Sequence, residues 1–368
     1  MPVDGPERVP AAPSPRRRTG GQPGLLAPGA ATDPCRLRLY RRLREAYPLC
    51  YDEGLGAWLL SRYADVAVAL TDPRFAGYPH DGAPRGGPAP LGLCRGSIHC
   101  AARDEGTRGP GLQARPADPA GPAPPTGPTG SVHAVAPARR KAVERTAYVL
   151  ARRIAGRQQA DLVEEFCRWL PAGAAAAAAG LSSPDLDRLP RAALHPRLIH
   201  SAVGPTDCAG HTALRETALA SFLANLLDDA DLLAAVRTEP GLIARAWTET
   251  LRRDPPVQIV LRRTLTEVPV SGGTLPAGAP VACLTGAAGR DPDRFADPDL
   301  FDPFRPDPGR LITGPAGCPA VLLGRLEAEY GLRALLEAMP RLRWADGFRP
   351  VGTGLLTRGP RTLLVRPS

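Results

Sequence analysis

The chain has 368 residues, 43% of them hydrophobic, with 46 Lys plus Arg against 37 Asp plus Glu and a formal charge of +9. That length and apolar content supply a sizeable core, as one large unit or one unit plus a tail. The positive excess is arginine spread along the chain, with one dense run at Arg16-Arg17-Arg18 and no basic stripe interleaved with aromatics, which argues against nucleic acid as a partner. A basic face would still suit an acidic protein partner. The 8 cysteines form no C-x-x-C pair, and no signal peptide is visible, so a reduced, cytoplasmic protein is expected. His99-Cys100 beside Cys94 has no second half of a zinc site. The longest apolar stretch, from Leu170 to Leu181, is mostly alanine and too short to span a bilayer, so no membrane association is expected.

Residues 1–32 are rich in Pro, Gly, Ala and Arg without periodicity and are expected to be a disordered tail; a single domain is expected from 33 to 368. Leu37, Tyr40, Leu43 and Tyr47 fall on one face of a first helix. Cys50-Tyr51 and Ala57-Trp58-Leu59-Leu60 predict a hairpin around Gly54 and Gly56, and Tyr63 to Leu70 a second helix. From 76 to 136 the periodicity vanishes, and the stretch from Pro116 to Pro128 is dense in proline, so this segment is expected to be poorly ordered. A shifted reading frame in a high-GC gene would also yield such text.

Periodicity resumes at Val143, Tyr148, Leu150 and Ile154 and continues through Leu162-Val163-Glu164-Glu165-Phe166, which predicts a helix with one apolar stripe. Ala174 to Ala179 predicts a closely packed helix. After a proline-interrupted stretch, Leu214, Leu219, Phe222, Leu223, Leu226 and Leu227 predict a long buried helix. Shorter ones follow over 232–236 and 242–252, the last ended by Pro255-Pro256. Strands are expected at Val257 to Leu261 and Val268 to Val270, with a turn at Gly272-Gly273, and Val281 to Leu284 is expected to be buried. A last helix is expected from Leu322 to Ala338, and two strands near Leu342-Arg343-Trp344 and Thr362 to Val365. The fold class is mainly α with small β-sheets.

Two features carry chemistry. Glu249-Thr250-Leu251-Arg252 places a carboxylate and a guanidinium three apart on one helical face, ordinarily a solvated surface pair. Cys318 lies on a Gly/Pro loop feeding a helix N-terminus, where the helix dipole and backbone N–H groups favour a thiolate; the alternative is a buried free thiol. Between them come Asp254-Pro255-Pro256-Val257-Gln258, Arg262-Arg263-Thr264, Leu275-Pro276-Ala277-Gly278, Arg290-Asp291-Pro292 and Phe301-Asp302-Pro303-Phe304-Arg305, with Arg325-Leu326-Glu327 beyond the cysteine.

This succession resembles the C-terminal half of bacterial cytochrome P450 enzymes. Leu39-Tyr40-Arg41-Arg42-Leu43-Arg44, Trp58-Leu59-Leu60-Ser61-Arg62-Tyr63 and Asp72-Pro73-Arg74-Phe75 are similar to that family's N-terminal segments. The resemblance covers roughly residues 33–75 and 140–368. It implies that Glu249, Arg252 and Arg305 form a buried charge network and that Arg263 pairs with a propionate of haem b. Cys318 would be the axial thiolate on the iron. It implies a monooxygenase hydroxylating a small-molecule natural-product intermediate with O2 and electrons from a ferredoxin-type donor.

The departures are as specific. The cysteine loop Leu311-Ile312-Thr313-Gly314-Pro315-Ala316-Gly317-Cys318 keeps Gly314 in register but has Ala316 where the family has a propionate-binding His or Arg. Ala209-Gly210-His211 resembles the start of the oxygen-activating signature, yet Thr212 and Ala213 stand where an acid and an alcohol are expected, which makes Thr212 the candidate catalytic residue. The lid helices and the early haem-contacting helix are expected to be reduced or missing. A second reading is therefore a haem-poor relative serving as helper and activator of a glycosyltransferase; a carrier protein is another partner that a basic face would suit.

Overall fold

A computed structural model describes residues 24–25, 33–77, 137–178, 209–307, 309, 311 and 319–367; at 33–34, 175–178, 209–212 and 319–322 only the backbone is described. The stretches 78–136 and 182–208, Gly314 and Cys318 lie outside the described residues.

The N-terminal third begins with α1 (Asp33–Ala46), the hairpin β1 (Leu49–Asp52) and β2 (Ala57–Leu60), helix α2 (Tyr63–Thr71) and β3 (Phe75–Gly77). Far along the chain, β5 (Ile259–Thr264) and β8 (Pro280–Leu284) enter the same sheet, giving the order β1-β2-β8-β5-β3. β2 and β8 run parallel, with Trp58, Leu59 and Leu60 opposite Val281, Ala282 and Cys283; the other pairings are antiparallel. Strand side chains alternate between faces. Accordingly Ala57, Leu59, Ala282 and Leu284 pack with Leu39, Tyr40 and Leu43 of α1. Trp58, Leu60, Val281 and Cys283 pack with Val66 and Ala69 of α2 on the other side.

The helical body comprises α3 (Pro137–Ala155), α4 (Trp169–Ala178), α5 (Ala209–Leu227), α6 (Ala230–Thr238), α7 (Gly241–Arg253) and α9 (Pro319–Ala338). Its core runs from Val143 and Ile154 through Phe166, Phe222 and Leu226 to Trp247, Leu332 and Leu335. Smaller pieces are β4 (Ala160–Asp161), the hairpin β6 (Val268–Val270) and β7 (Gly273–Leu275), the single turn α8 (Thr285–Ala288), and β9 (Arg343–Trp344), β10 (Gly352–Thr353), β11 (Gly359–Pro360) and β12 (Leu364–Arg366). β12 is flanked by β4 and β9, and β10 pairs with β11.

Several expectations need correction. The apolar stripe from Val143 to Phe166 is not one helix. α3 stops at Ala155 before Gly156, β4 pairs with β12, and Val163–Cys167 then forms a π-turn leading to α4. Asp161 drives the break, because its carboxylate accepts from the backbone N–H of Val163 and of Leu363, each at 2.9 Å. α1 buries Tyr40 and Leu43 as expected, with Leu37 and Tyr47 half-buried, but its buried face is wider and takes in Arg36, Leu39 and Arg44. Ala76 and Gly77, assigned to the unordered segment, form part of β3 opposite Arg263 and Arg262. Within the expected tail, Leu25 is buried against the α1 face of the sheet and its N–H donates to Asp52 Oδ2 at 3.0 Å. Among the described residues no helix is long and apolar enough to cross a membrane.

Candidate functional site

α7 is strongly amphipathic, and its buried face carries Trp247 together with two charged residues, Glu249 and Arg252, each 1% exposed at the side chain. Arg252 Nε and NH2 donate to Glu249 Oε2 and Oε1 at 2.8 and 2.6 Å. NH1 donates to the carbonyls of Gly289 and Pro298, both at 2.7 Å, and NH2 also reaches that of Leu300 at 3.0 Å. All the N–H donors of one guanidinium are thereby engaged, an arrangement lysine cannot reproduce. Glu249 Oε1 additionally accepts from the backbone N–H of Asp302 at 3.1 Å and from Arg305 Nε at 3.4 Å.

Arg305 completes the group. Its NH1 and NH2 donate to the carbonyls of Ala296 and Asp297 at 2.6 and 3.3 Å. Asp297 has a positive φ of 43°, a conformation Asp tolerates, within the turn that carries this carbonyl. The buried Phe295 ring lies 5.2 Å from the Arg252 guanidinium carbon and 5.9 Å from that of Arg305. One carboxylate and two guanidiniums thus fasten α7 to the irregular chain from 289 to 305.

A second charge network lies at the end of α7. Asp254 accepts from Arg290 NH2 at 2.7 Å, Arg253 Nε at 2.8 Å and Asn225 Nδ2 at 3.1 Å. Burial alone would raise the Asp254 carboxyl, but Arg290 and Arg253 together outweigh it and bring it from 3.8 to about 2. Arg290 also holds Asp299 at 2.6 Å.

The other sequence-predicted residues are dispersed. Arg263 stands exposed on β5, opposite Ala76 and Pro280, with Nε donating to the Gly278 carbonyl at 3.0 Å. Gly278 has φ +72°, which glycine adopts without strain. Thr212 is within α5, its side chain outside the description, and Gly314 and Cys318 precede α9 outside the described residues.

On α5 the sequence reading missed an acid and alcohol in succession, Glu216-Thr217, one turn beyond the expected position. Neither is free for proton transfer. Glu216 pairs with Arg168 at 3.4 Å, and Thr217 Oγ1 donates to the Ala213 carbonyl in its own helix at 2.8 Å. Also missed was Arg215, buried and 3.4 Å from the equally buried Glu327 of α9, so that an ion pair joins the two helices. The dipeptide was legible; the side each residue faces was not.

The helix-rich α+β architecture carries a buried Glu–Arg–Arg group, with Cys318 and α9 following it in the sequence. The cytochrome P450 family model matches residues 242–316. Cytochrome P450 107B1 of Saccharopolyspora erythraea is 29% identical over 417 aligned positions, covering 95% of this chain and 99% of that one. Protein DesVIII of Streptomyces venezuelae is 49% identical over 126 residues, a stretch that spans 32% of this chain and only 31% of DesVIII. Among solved structures, CYP109E1 from Bacillus megaterium in complex with corticosterone has the same fold, with a TM-score of 0.64, 18% identity and coverage of 90% of this chain and 98% of that one. Sequence and fold are thus similar to those of cytochrome P450 proteins.

Proposed function

We propose that the protein is a haem-thiolate oxidoreductase of the monooxygenase type, acting on a small-molecule natural-product intermediate with O2 and electrons from a ferredoxin-type donor. The observation that carries this reading is the complete Glu249–Arg252–Arg305 group, which anchors the chain leading toward the cysteine loop on the helical core. Arg263 and, by its place in the sequence, Cys318 support haem b as the group held. Cys318 would hold the iron, and Arg263, with Nε alone hydrogen-bonded among the described residues, has its terminal nitrogens available for a propionate. Once bound, haem would supply the oxygen chemistry, with the thiolate donating electron density to it. The chain's own part is to hold and orient the group, with Thr212 as the protic candidate on α5. The reading is tested by the reduced, CO-treated absorption spectrum of the purified protein. A thiolate-type Soret band that disappears in Cys318→Ala supports it; no bound haem after supplementation overturns it.

A second reading, a cytochrome P450-like helper of a glycosyltransferase, is favoured by α5, where Glu216 and Thr217 are both committed to structural partners. It calls for co-purification with a glycosyltransferase and for activation that survives Cys318→Ala. Loss of activation in that variant would count against it.

A further inference from the structure

α1, the C-terminal ends of α5 and α7, and the β10–β11 hairpin border a half-open cavity of about 230 Å³ whose walls include Arg36, Tyr40, Arg253, Gln258, Arg290 and Arg358. Arg36 and Arg358 are buried, at 1% and 8% exposure. The Arg36 guanidinium donates to the Tyr40 hydroxyl at 2.7 Å and to the carbonyls of Gly354 and Leu355 at 2.7 and 2.6 Å. Arg358 NH1 reaches the same Gly354 carbonyl at 3.3 Å, which sets two cations on one oxygen. Gly354 makes this turn possible: its φ is +114°, and a Cβ there would lie 1.9 Å from the Thr357 carbonyl oxygen. Tyr40 lies in the field of three of these guanidiniums; burial pushes its phenol up, while Arg36, Arg358 and Arg290 pull it down.

The carboxylates in the wall are committed elsewhere. Asp254 is held by Arg253 and Arg290, and Asp228 accepts from the Trp344 indole N–H at 2.9 Å. Among the described residues Arg36 makes no ion pair, although a buried cation is costly without a counter-charge. Neutral carbonyls and a phenol satisfy its hydrogen bonds but leave its charge uncompensated. A guanidinium beside a polar cavity is well matched to an oxyanion, which accepts paired N–H donors.

We infer that this cavity binds a compact oxyanion of the phosphate or carboxylate type between Arg36 and Arg358, and that the anion fastens α1 to the β10–β11 hairpin. The site is independent of haem. Thermal unfolding of the full chain is followed with inorganic phosphate and with succinate, each against KCl at equal ionic strength. Either anion is expected to raise Tm by about 2–4 °C as the site fills. The rise should be lost in Arg358→Gln and retained in Arg145→Gln, which alters an exposed arginine of α3 outside the cavity wall. In case Arg358→Gln folds poorly, calorimetric titration of the unmodified chain gives a second measurement, with saturable 1:1 binding expected. If neither anion exceeds KCl, if the rise persists in Arg358→Gln, or if the titration does not saturate, the inference is wrong.

Discussion

Arg252→Lys tests the buried charge group most directly, because it keeps the positive charge and removes the fork. Arg252 makes its bonds to two carboxylate oxygens and three backbone carbonyls that lie around a planar group. An ammonium has three donors on one atom, so at least two of those acceptors lose their partner. Each buried acceptor left unsatisfied costs about 1–3 kcal/mol, which gives a loss of roughly 2–6 kcal/mol. Breaking a buried ion pair typically costs about 3–5 kcal/mol, within the same range. Against a total stability of about 5–15 kcal/mol this is a large fraction. Urea unfolding should show a lower midpoint with an unchanged slope. Arg245→Lys, on the exposed side of the same helix, should stay within about 0.5 kcal/mol of the unmodified chain. A loss under about 1 kcal/mol for Arg252→Lys would refute the claim that donor geometry, beyond charge, holds α7 to the chain from 289 to 305.

The Arg215–Glu327 pair should behave non-additively: Arg215→Met and Glu327→Leu each strand a buried charge and cost about 3–5 kcal/mol, whereas the double variant recovers much of that. Equal and additive losses in a double-mutant cycle would show that the two residues are not coupled. For Asp254, a folded-state value of about 2 against an ordinary 3.8 means that the unfolded chain takes up its proton first as pH falls. Its contribution is therefore complete above about pH 4 and fades as pH falls through about 2. Asp254→Asn should be destabilised at neutral pH and should have lost that component of the acid dependence; an identical acid profile in both proteins would contradict the assignment.

Much of the architecture was legible because periodicity and punctuation agreed. Pro255-Pro256 could end α7, and the apolar run Ala57-Trp58-Leu59-Leu60 beyond Gly54 and Gly56 could be read as one arm of a hairpin. Glu249, Arg252 and Arg305 were readable as a set from their order along the chain, although only the fold brings Arg305 to Glu249 from 56 positions away. What stayed hidden depended on distant partners. Asp161 breaks an apolar stripe by bonding to Leu363, on a segment some two hundred positions away, and no local pattern announces that. Arginine is ordinarily a surface residue, so Arg36, Arg44 and Arg215 gave no sign of being buried. On α5, the directions of Glu216 and Thr217 are set by Arg168 and by the helix's own Ala213 carbonyl, not by their position in a signature.

The strand order β1-β2-β8-β5-β3 has a consequence for how the polypeptide matures on the ribosome. The outer strands of this sheet emerge first, and the two that fill its middle, residues 259–264 and 280–284, emerge only after most of the chain has been made. Until then Trp58 and Leu60 have neither the parallel neighbour that covers one edge of β2 nor the apolar layer that β8 brings. Such long-range closure is slow and leaves sticky edges waiting. The N-terminal hairpin is therefore no detachable module, and a nascent chain halted before residue 259 would be a substrate for chaperones.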